Sequence, residues 1–593
     1  MSRSQREHDE CRAARPGASI GRQLDNARSD CNSCEYAMRP EADMLADRNC
    51  GAAMSRSAPA VIDDPDLWDV VVIGTGMGGA TLGWRLASQR VKILFLEKGR
   101  LEVLAGRPAA ESSPDPETRL RQGRWPDNLD MVVNGRVVPL QGMRGCGVGG
   151  STLLYAALLE RLESHDFGLT LSMPHPTGGW PVSMAEMEPY YELAEQLFRV
   201  SGTRDPLAGE VPLRLKEPRQ STRLDAQLIN DLETAGLHPY RCHVGIAYTE
   251  GCDECLGHAC PRQCKSDAKR LCVEPAVRHF GAALRTECEV RFIEADSAQA
   301  QALIYVQGGV HRRVRARIFV LAAGALETPL ILLRSANTYH PQGLANSSGM
   351  VGRNLMFHVV NWLALWPSRW VREAATGKAI SARDFYRSGT LRGGVLQSVA
   401  RKVYSGDILA VFQARLDRSR LREFPGRKAL LRILAKGIER LAGNASILAL
   451  LVEDLPYPEN RIELDLAGRP RLTYDIPQEL VQRNTYFRKE VSKRLRHNRH
   501  FWLNANIELN EGHACGTCRF GTDPKASVLD ADCRAHDVAN LYVVDASFMP
   551  TSGGVNPGLT IAANALRVAD VIVRALADPS YSRNGRNSAA GVA

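Results

Sequence analysis

Apolar positions are distributed unevenly along the chain. Residues 1 to about 62 are polar and small, rich in Arg, Asp, Ser and Ala, with Tyr36 as their one aromatic. Such a stretch has too little apolar surface to sustain a core, and the pattern predicts a disordered tail over 1–62. The pattern changes at Trp68-Asp69-Val70-Val71-Val72-Ile73, a β-branched run of the kind found in a strand buried on both faces. The glycine cluster Gly74-Thr75-Gly76-Met77-Gly78-Gly79 follows, then apolar positions at helical spacing from Ala80 to Ala87, then a second strand from Val91 to Leu96 ending in Glu97. Farther on, Ile318-Phe319-Val320-Leu321 predicts a strand running into Ala322-Ala323-Gly324-Ala325, and Leu541 to Val544 predicts another that ends at Asp545. A long helix is predicted from about Pro557 to Ala575, with proline where its missing N–H costs nothing. Residues 578–593 are again small and polar, a second disordered tail.

The first of these units has a chemical meaning. Gly74, Gly76 and Gly79 follow a strand and open a helix, and Glu97 stands about twenty residues on, which is the setting of a dinucleotide site. Gly74 permits the tight turn, Gly76 lets backbone approach a pyrophosphate, and Gly79 permits close packing of helix on strand. The helix N-terminus offers N–H groups to the phosphates, and Glu97 is placed to accept ribose hydroxyls. This unit alone does not choose between NAD and FAD. A second glycine segment, Gly145 to Thr152, suits close approach of backbone to a flat or anionic ligand, or serves as a flexible turn.

Length, charge and cysteine content narrow the picture. The 593 residues exceed what one core holds, so two lobes are expected. No apolar run reaches the ~18 residues of a membrane helix. The N-terminal stretch has no secretory-type apolar segment either, which points to the cytoplasm. The net charge of +9 is not spread as a nucleic-acid-binding surface would require: residues 415–440 hold nine bases against three acids. Lys428, Arg432, Lys436 and Arg440 recur on one helical face, with Leu430, Leu431, Leu434, Ile438 and Leu441 on the other. Residues 427–441 therefore read as an ordinary amphipathic surface helix, or as a peripheral membrane or electron-acceptor contact. Of the 15 cysteines, Cys31 and Cys34 lie in the tail, while Cys252, Cys255, Cys260 and Cys264 crowd one loop with Cys272 beyond it. Such density suits Zn²⁺, an iron–sulfur cluster, or a plain thiol loop.

Four separated segments together resemble the glucose–methanol–choline (GMC) family of FAD oxidoreductases. They are the first glycine unit with Glu97; Gly147-Val148-Gly149-Gly150-Ser151; Val320 to Pro329 with Gly352-Arg353-Asn354-Leu355; and the block from His513 to Asp570. The resemblance implies an α/β fold, with a Rossmann-like FAD-binding domain assembled from discontinuous segments (63–165, 268–356 and 506–577). An α+β substrate-binding domain would come from 166–267 and 357–505. It implies that FAD accepts a hydride from an alcohol carbon. By position, His513 matches the catalytic base, and Asn556 matches a second catalytic position where the cholesterol-oxidase-like branch carries Asn. Glu453 matches an acidic residue of that branch. Gly147, Gly149, Gly150, Ser151, Val290, Asp545 and Thr560 match flavin-contacting positions, while Tyr155 stands where several members have Asn. Cys255-x4-Cys260-x3-Cys264 resembles the pattern of members carrying a three-iron cluster.

The residue chemistry is consistent with this. Removing a hydride from an alcohol requires the hydroxyl proton to pass to a base, for which His is suited, while an amide orients the hydroxyl without titrating. The expected substrate is a small, apolar alcohol. The alternatives are a flavoprotein of this fold with other chemistry, for example directed at fatty acids, and a metal-binding interaction protein built on the Cys252–Cys264 loop.

Overall fold

The computed structural model describes residues 61–106, 115–140, 144–168, 175–209, 213–371, 377–388, 391–399 and 445–578, with five positions between 431 and 437. The tail thiols Cys31 and Cys34 and most of the basic 427–441 stretch lie outside the described residues. Within that stretch Leu431 is buried, whereas Ile433 and Leu434 are exposed.

The first sheet follows from the apolar runs. Val61–Ile73 pairs in parallel with Ile93–Leu96 on one side and with Val310–Leu321 on the other, and Leu541–Val543 also pairs in parallel with Val310–Leu321. Val70, Val71 and Val72 are wholly buried because helices cover this part of the sheet. The covering helices Met77–Ser88 and Gly558–Ala577 pack on each other, and Met184–Leu197 packs on the second of them. An antiparallel ribbon, Cys288–Ala295 with Ala300–Gln307, extends the same sheet.

Two strands are longer than their apolar runs predict. Val61 and Ile62 already pair with His311 and Arg312, so order begins inside the expected 1–62 tail, ahead of a bulge between Asp63 and Leu67. The extra length of Val310–Leu321 is His- and Arg-rich, held by backbone pairing on both sides and invisible to a hydrophobic scan. The C-terminal helix occupies Gly558–Ala577, close to the expected span.

The second sheet is antiparallel. Met356–Leu365 runs beside Ser446–Val452, Glu508–Cys515 and His500–Trp502, and Leu396–Ser398, Ile380–Ala382 and Tyr240–Arg241 continue it. Helix Gln478–Arg494 lays Leu480, Phe487 and Val491 against Val359, Leu363, Leu448 and Leu450. Where Met356–Leu365 meets Glu508–Cys515 the register shifts between Met356 and His358, so that His358 lies opposite Asn510. At the end of this sheet, Arg383 donates to the buried Glu160 carboxylate at 2.7 Å, and Tyr240 donates to the same carboxylate at 3.0 Å.

Candidate functional site

A cavity of about 1380 Å³ opens between the end of the first sheet and the face of the second. Its walls include Gly74, Gly76, Glu97, Gly150, Ser151, Val290, Asp545, Asn556 and His513, residues drawn from the whole length of the described chain.

The glycine turn builds one end. Gly74 has φ +99°, and a Cβ there would lie 2.4 Å from the Ala322 carbonyl oxygen. At Gly76 an added Cβ meets no protein atom within 4 Å, so the backbone faces open space where a ligand can approach. Gly76 caps helix Met77–Ser88 without a side-chain acceptor, leaving the helix start suited to anionic oxygens. Glu97 locks the turn rather than standing free of it: Thr75 donates to Oε2 through N at 3.0 Å and Oγ1 at 2.6 Å, and Gly99 N donates to Oε1 at 2.8 Å. Burial raises this carboxyl above its ordinary range despite those bonds. The Gly147 backbone also bonds this carboxylate, so Glu97 holds the two glycine segments together.

The second glycine segment lies directly against the first. Gly149 N donates to Thr75 Oγ1 at 3.2 Å, and a Cβ on Gly150 would come within 2.8 Å of Gly76 Cα. Gly150 and Ser151 line the cavity, whereas Gly147, Gly149 and Gly79 support the turns from behind. Asp545 ties the C-terminal segment to the turn after Val310–Leu321, accepting from Gly324 N at 2.9 Å and Thr328 Oγ1 at 2.5 Å, and from Ser547 N at 2.9 Å. Thr560 is fully buried, 2.8 Å from the Tyr191 hydroxyl, and does not reach the wall. Tyr155 does reach it, its hydroxyl donating to the Ser266 carbonyl.

The other end of the cavity carries the chemistry. His513, half-buried on strand Glu508–Cys515, has Nδ1 3.0 Å from His358 Nδ1 and 3.2 Å from Asn510 Nδ2. Its Nε2 has no hydrogen-bond partner among the described residues. Burial, and then the neighbouring His358 ring, push its pKa well below the usual histidine value. Asn556 Oδ1 is buried with no hydrogen-bond partner among the described residues, just ahead of the start of helix Gly558–Ala577. His513 and Asn556 are adjacent neither in sequence nor in secondary structure; the two sheets bring them to one wall.

Glu453 does not join them. Its carboxylate is fully buried, lines no part of the cavity, and lies 3.4 Å from Arg392 Nη1. His358 was missed in the sequence reading, where it is a lone His in an apolar run. The Gly352-Arg353-Asn354-Leu355 motif just ahead of it was the available signal.

The cysteine loop forms a flank of the cavity through Asp253, Leu256, Gly257, His258 and Pro261, not through its thiols. Cys264 Sγ lies 3.3 Å from Cys252 Sγ and 3.4 Å from Cys260 Sγ. Thiolates around Zn²⁺ at ~2.3 Å would stand about 3.8 Å apart, farther than these sulfurs lie from one another. Lys265 lies beneath, donating to the carbonyls of Leu153 at 2.7 Å and His258 at 3.0 Å. Among the described residues no group of three or more His, Cys, Asp or Glu side chains is arranged to hold a metal ion, and the expectation of a cluster on Cys255, Cys260 and Cys264 finds no support.

Comparison with known proteins gives a consistent picture. Residues 69–360 match the N-terminal and residues 473–565 the C-terminal sequence profile described as GMC oxidoreductase. The chain is 30% identical over 542 residues to 6'''-hydroxyparomomycin C oxidase of Streptomyces lividus, covering 86% of this chain and 92% of that protein. It is 28% identical over 539 residues to paromamine 6'-oxidase of Streptomyces fradiae, with the same coverage. Among solved structures, a formate oxidase variant of Aspergillus oryzae, studied for FAD modification, superposes with a TM-score of 0.60 at 16% identity, covering 87% of this chain and 99% of that one.

Proposed function

The chain belongs to the GMC oxidoreductase family, and on that premise we propose that His513 is the base and Asn556 the orienting amide of its reaction. The protein is an FAD-dependent oxidoreductase acting on the CH–OH group of an alcohol. FAD, when bound, accepts the hydride leaving the alcohol carbon. The residues present fit it: Gly76 leaves room that any side chain would fill, Gly150, Ser151, Glu97, Val290 and Asp545 share the wall, and Asn556 presents an unmatched oxygen. Gly74, Gly79, Gly147, Gly149 and Thr560 shape that wall from behind or at its turns. The hydroxyl proton passes to Nε2 of His513, the nitrogen without a protein partner, while the Asn556 amide orients the hydroxyl. The observation that carries this reading is the presence of His513 and Asn556 in the same cavity as the glycine turn. Asn556 also favours the cholesterol-oxidase-like branch. Glu453, paired with Arg392 behind the wall, is assigned a supporting rather than a catalytic role.

We assign 63–165, 268–356 and 506–577 to the FAD-binding domain and 166–267 with 357–505 to the substrate domain. The origin of the strands supports this division, although Glu508–Cys515 pairs into the second sheet. Val360, Val399 and Leu451, which line the same cavity as His513, support an apolar alcohol. Gln397 and Glu508 on the same wall favour a second reading, a polar substrate such as the paromamine named for one relative. No described helix is long and apolar enough to cross a membrane, and the free buried thiols Cys146, Cys242 and Cys288 support placement in the cytoplasm. The thiol loop is metal-free in this reading.

The test is the visible spectrum and metal content of anaerobically purified protein. The expected preparation is yellow, with one flavin and no stoichiometric iron or zinc. A colourless protein that FAD cannot reconstitute would sink the reading, while about three irons per chain would restore the cluster. The rate of alcohol-dependent flavin bleaching is expected to be level through pH 7 and to fall with one proton somewhere below pH 6.5. The base works unprotonated, and its pKa is pushed below the histidine reference of 6.5, so activity disappears only once the pH drops through that lowered value. An acid limb centred above pH 7 contradicts the assignment.

A further inference from the structure

His358 lies on Met356–Leu365, wholly buried. Its Nε2 is 2.8 Å from the Gly553 carbonyl oxygen. A carbonyl only accepts, so this nitrogen carries a hydrogen. Burial pushes the ring's pKa down to about 4, with only the Gly553 bond opposing, so the imidazole is neutral at working pH. A neutral ring with hydrogen on Nε2 has its lone pair on Nδ1. That lone pair faces His513 Nδ1 at 3.0 Å, the two rings meeting edge to face at 84°. His513 Nδ1 must therefore carry a hydrogen, which leaves the lone pair of His513 on Nε2. Asn510 Nδ2 lies 3.2 Å from the same Nδ1; a hydrogen on that nitrogen requires the amide to be assigned the other way round, with its oxygen toward the ring, because two N–H donors would repel.

The anchor of the relay is rigid. Gly554 N donates to the Tyr386 hydroxyl at 3.1 Å, and that hydroxyl donates to the buried Asp166 carboxylate. A Cβ on Gly553 would strike Leu162 at 2.3 Å, and one on Gly554 would strike the Tyr386 ring at 2.1 Å. The Gly553 carbonyl is thus fixed in direction, and the same loop goes on to present Asn556.

We propose that His358 is a positioning residue that sets the tautomer of His513, through two neutral imidazoles in series anchored on the Gly553 carbonyl. The proposal rests on His513 being the base. Its chemical sense lies in what stands at the second position. A carboxylate there would orient His513 equally well but would stabilise the imidazolium, raising the base's pKa and holding it protonated. A neutral imidazole orients the ring without adding charge, so Nε2 stays available as an acceptor. When the hydroxyl proton arrives at Nε2, the ring's other N–H is already bonded to His358 Nδ1, and no rearrangement is required.

The test has two arms. The first is long-range proton–nitrogen correlation NMR of histidine-labelled protein at neutral pH, with His513 assigned by the signals lost in His513→Ala. The expected wild-type pattern is a protonated Nδ1 and an unprotonated Nε2, and a His513 protonated on Nε2 alone overturns the proposal. The second compares His358→Leu, which lacks an acceptor, with His358→Asn, whose Oδ1 takes the place of Nδ1. Anaerobic flavin reduction is expected to fall about 100-fold in H358L with KM nearly unchanged, and to recover at least tenfold in H358N. In H358L the His513 tautomer is expected to become mixed. Equal loss in both variants, or an H358L that keeps wild-type rate and tautomer, overturns the proposal. If H358L does not fold, the wild-type spectrum still decides. A wild-type protein that takes up no flavin defeats the functional reading instead, and the tautomer pattern is measured on that same protein regardless.

Discussion

His513→Ala is expected to keep its flavin and its fold while losing about 10³-fold in the rate of alcohol-dependent bleaching, within the 10²–10⁴ range that a positioned base contributes. The fold should survive because the side chain has few commitments: its hydrogen bonds are to His358 and Asn510, and Nε2 makes none among the described residues. The backbone of Glu508–Cys515 stays paired with Met356–Leu365 whatever side chain stands at 513. The measurement is stopped-flow bleaching under anaerobic conditions with an alcohol that reduces the wild type, alongside the flavin-to-protein ratio. Unchanged bleaching removes His513 from the base role. Lost flavin would show that the residue shapes the cavity rather than the chemistry.

Gly78→Ala and Gly76→Ala are expected to fail in different ways. A Cβ on Gly78 would lie 2.0 Å from the Val544 carbonyl oxygen and 3.3 Å from Ile561. The first contact is with backbone held in the first sheet's edge, so no rotamer change relieves it. The cost is expected to exceed the roughly 1–3 kcal/mol of ordinary core overpacking, giving little soluble protein or a large drop in Tm. Gly76 has open space at the same point, so Gly76→Ala is expected to fold with near wild-type Tm and to purify with little or no flavin. Thermal melts and flavin-to-protein ratios of the two variants provide the check. A stable, flavin-loaded G78A would show that helix Met77–Ser88 does not sit as close to Val544 as the structure places it.

That pair of glycines marks how far sequence reading reaches. The spacing of Gly74, Gly76 and Gly79 and the distance to Glu97 were legible because strand, turn and helix are formed by neighbours in the chain, and the turn's backbone demands are local. The runs at Val70–Ile73, Ile318–Leu321 and Leu541–Val543 were legible for a related reason: burial on both faces leaves an uninterrupted apolar signature. The need for glycine at 78 was not legible, because the obstructing atom belongs to residue 544. Nor was the true length of Val310–Leu321, whose charged half is held by backbone pairing rather than by apolar burial.

The site divides in the same way. His513 and Asn556 could be singled out by motif, and the cavity holds both beside the glycine turn. Glu453 had comparable local credentials, yet its carboxylate lies behind the wall against Arg392, and burial decided that. The cysteine spacing suggested a metal, but thiol contacts and the Lys265 ammonium beneath them depend on where the loop closes, not on spacing. His358 lies 155 positions from His513, and the Gly553 carbonyl that orients it another 40 beyond. The sequence by itself determined most of the buried elements, because they rest on short-range patterns, and the reaction class followed from the resemblance of four separated segments to a known family. The proposed tautomer of His513 rests on tertiary structure alone, because a hydrogen bond depends on distance in space and its partners meet only when Met356–Leu365 pairs with Glu508–Cys515 and the Gly553 loop packs against His358.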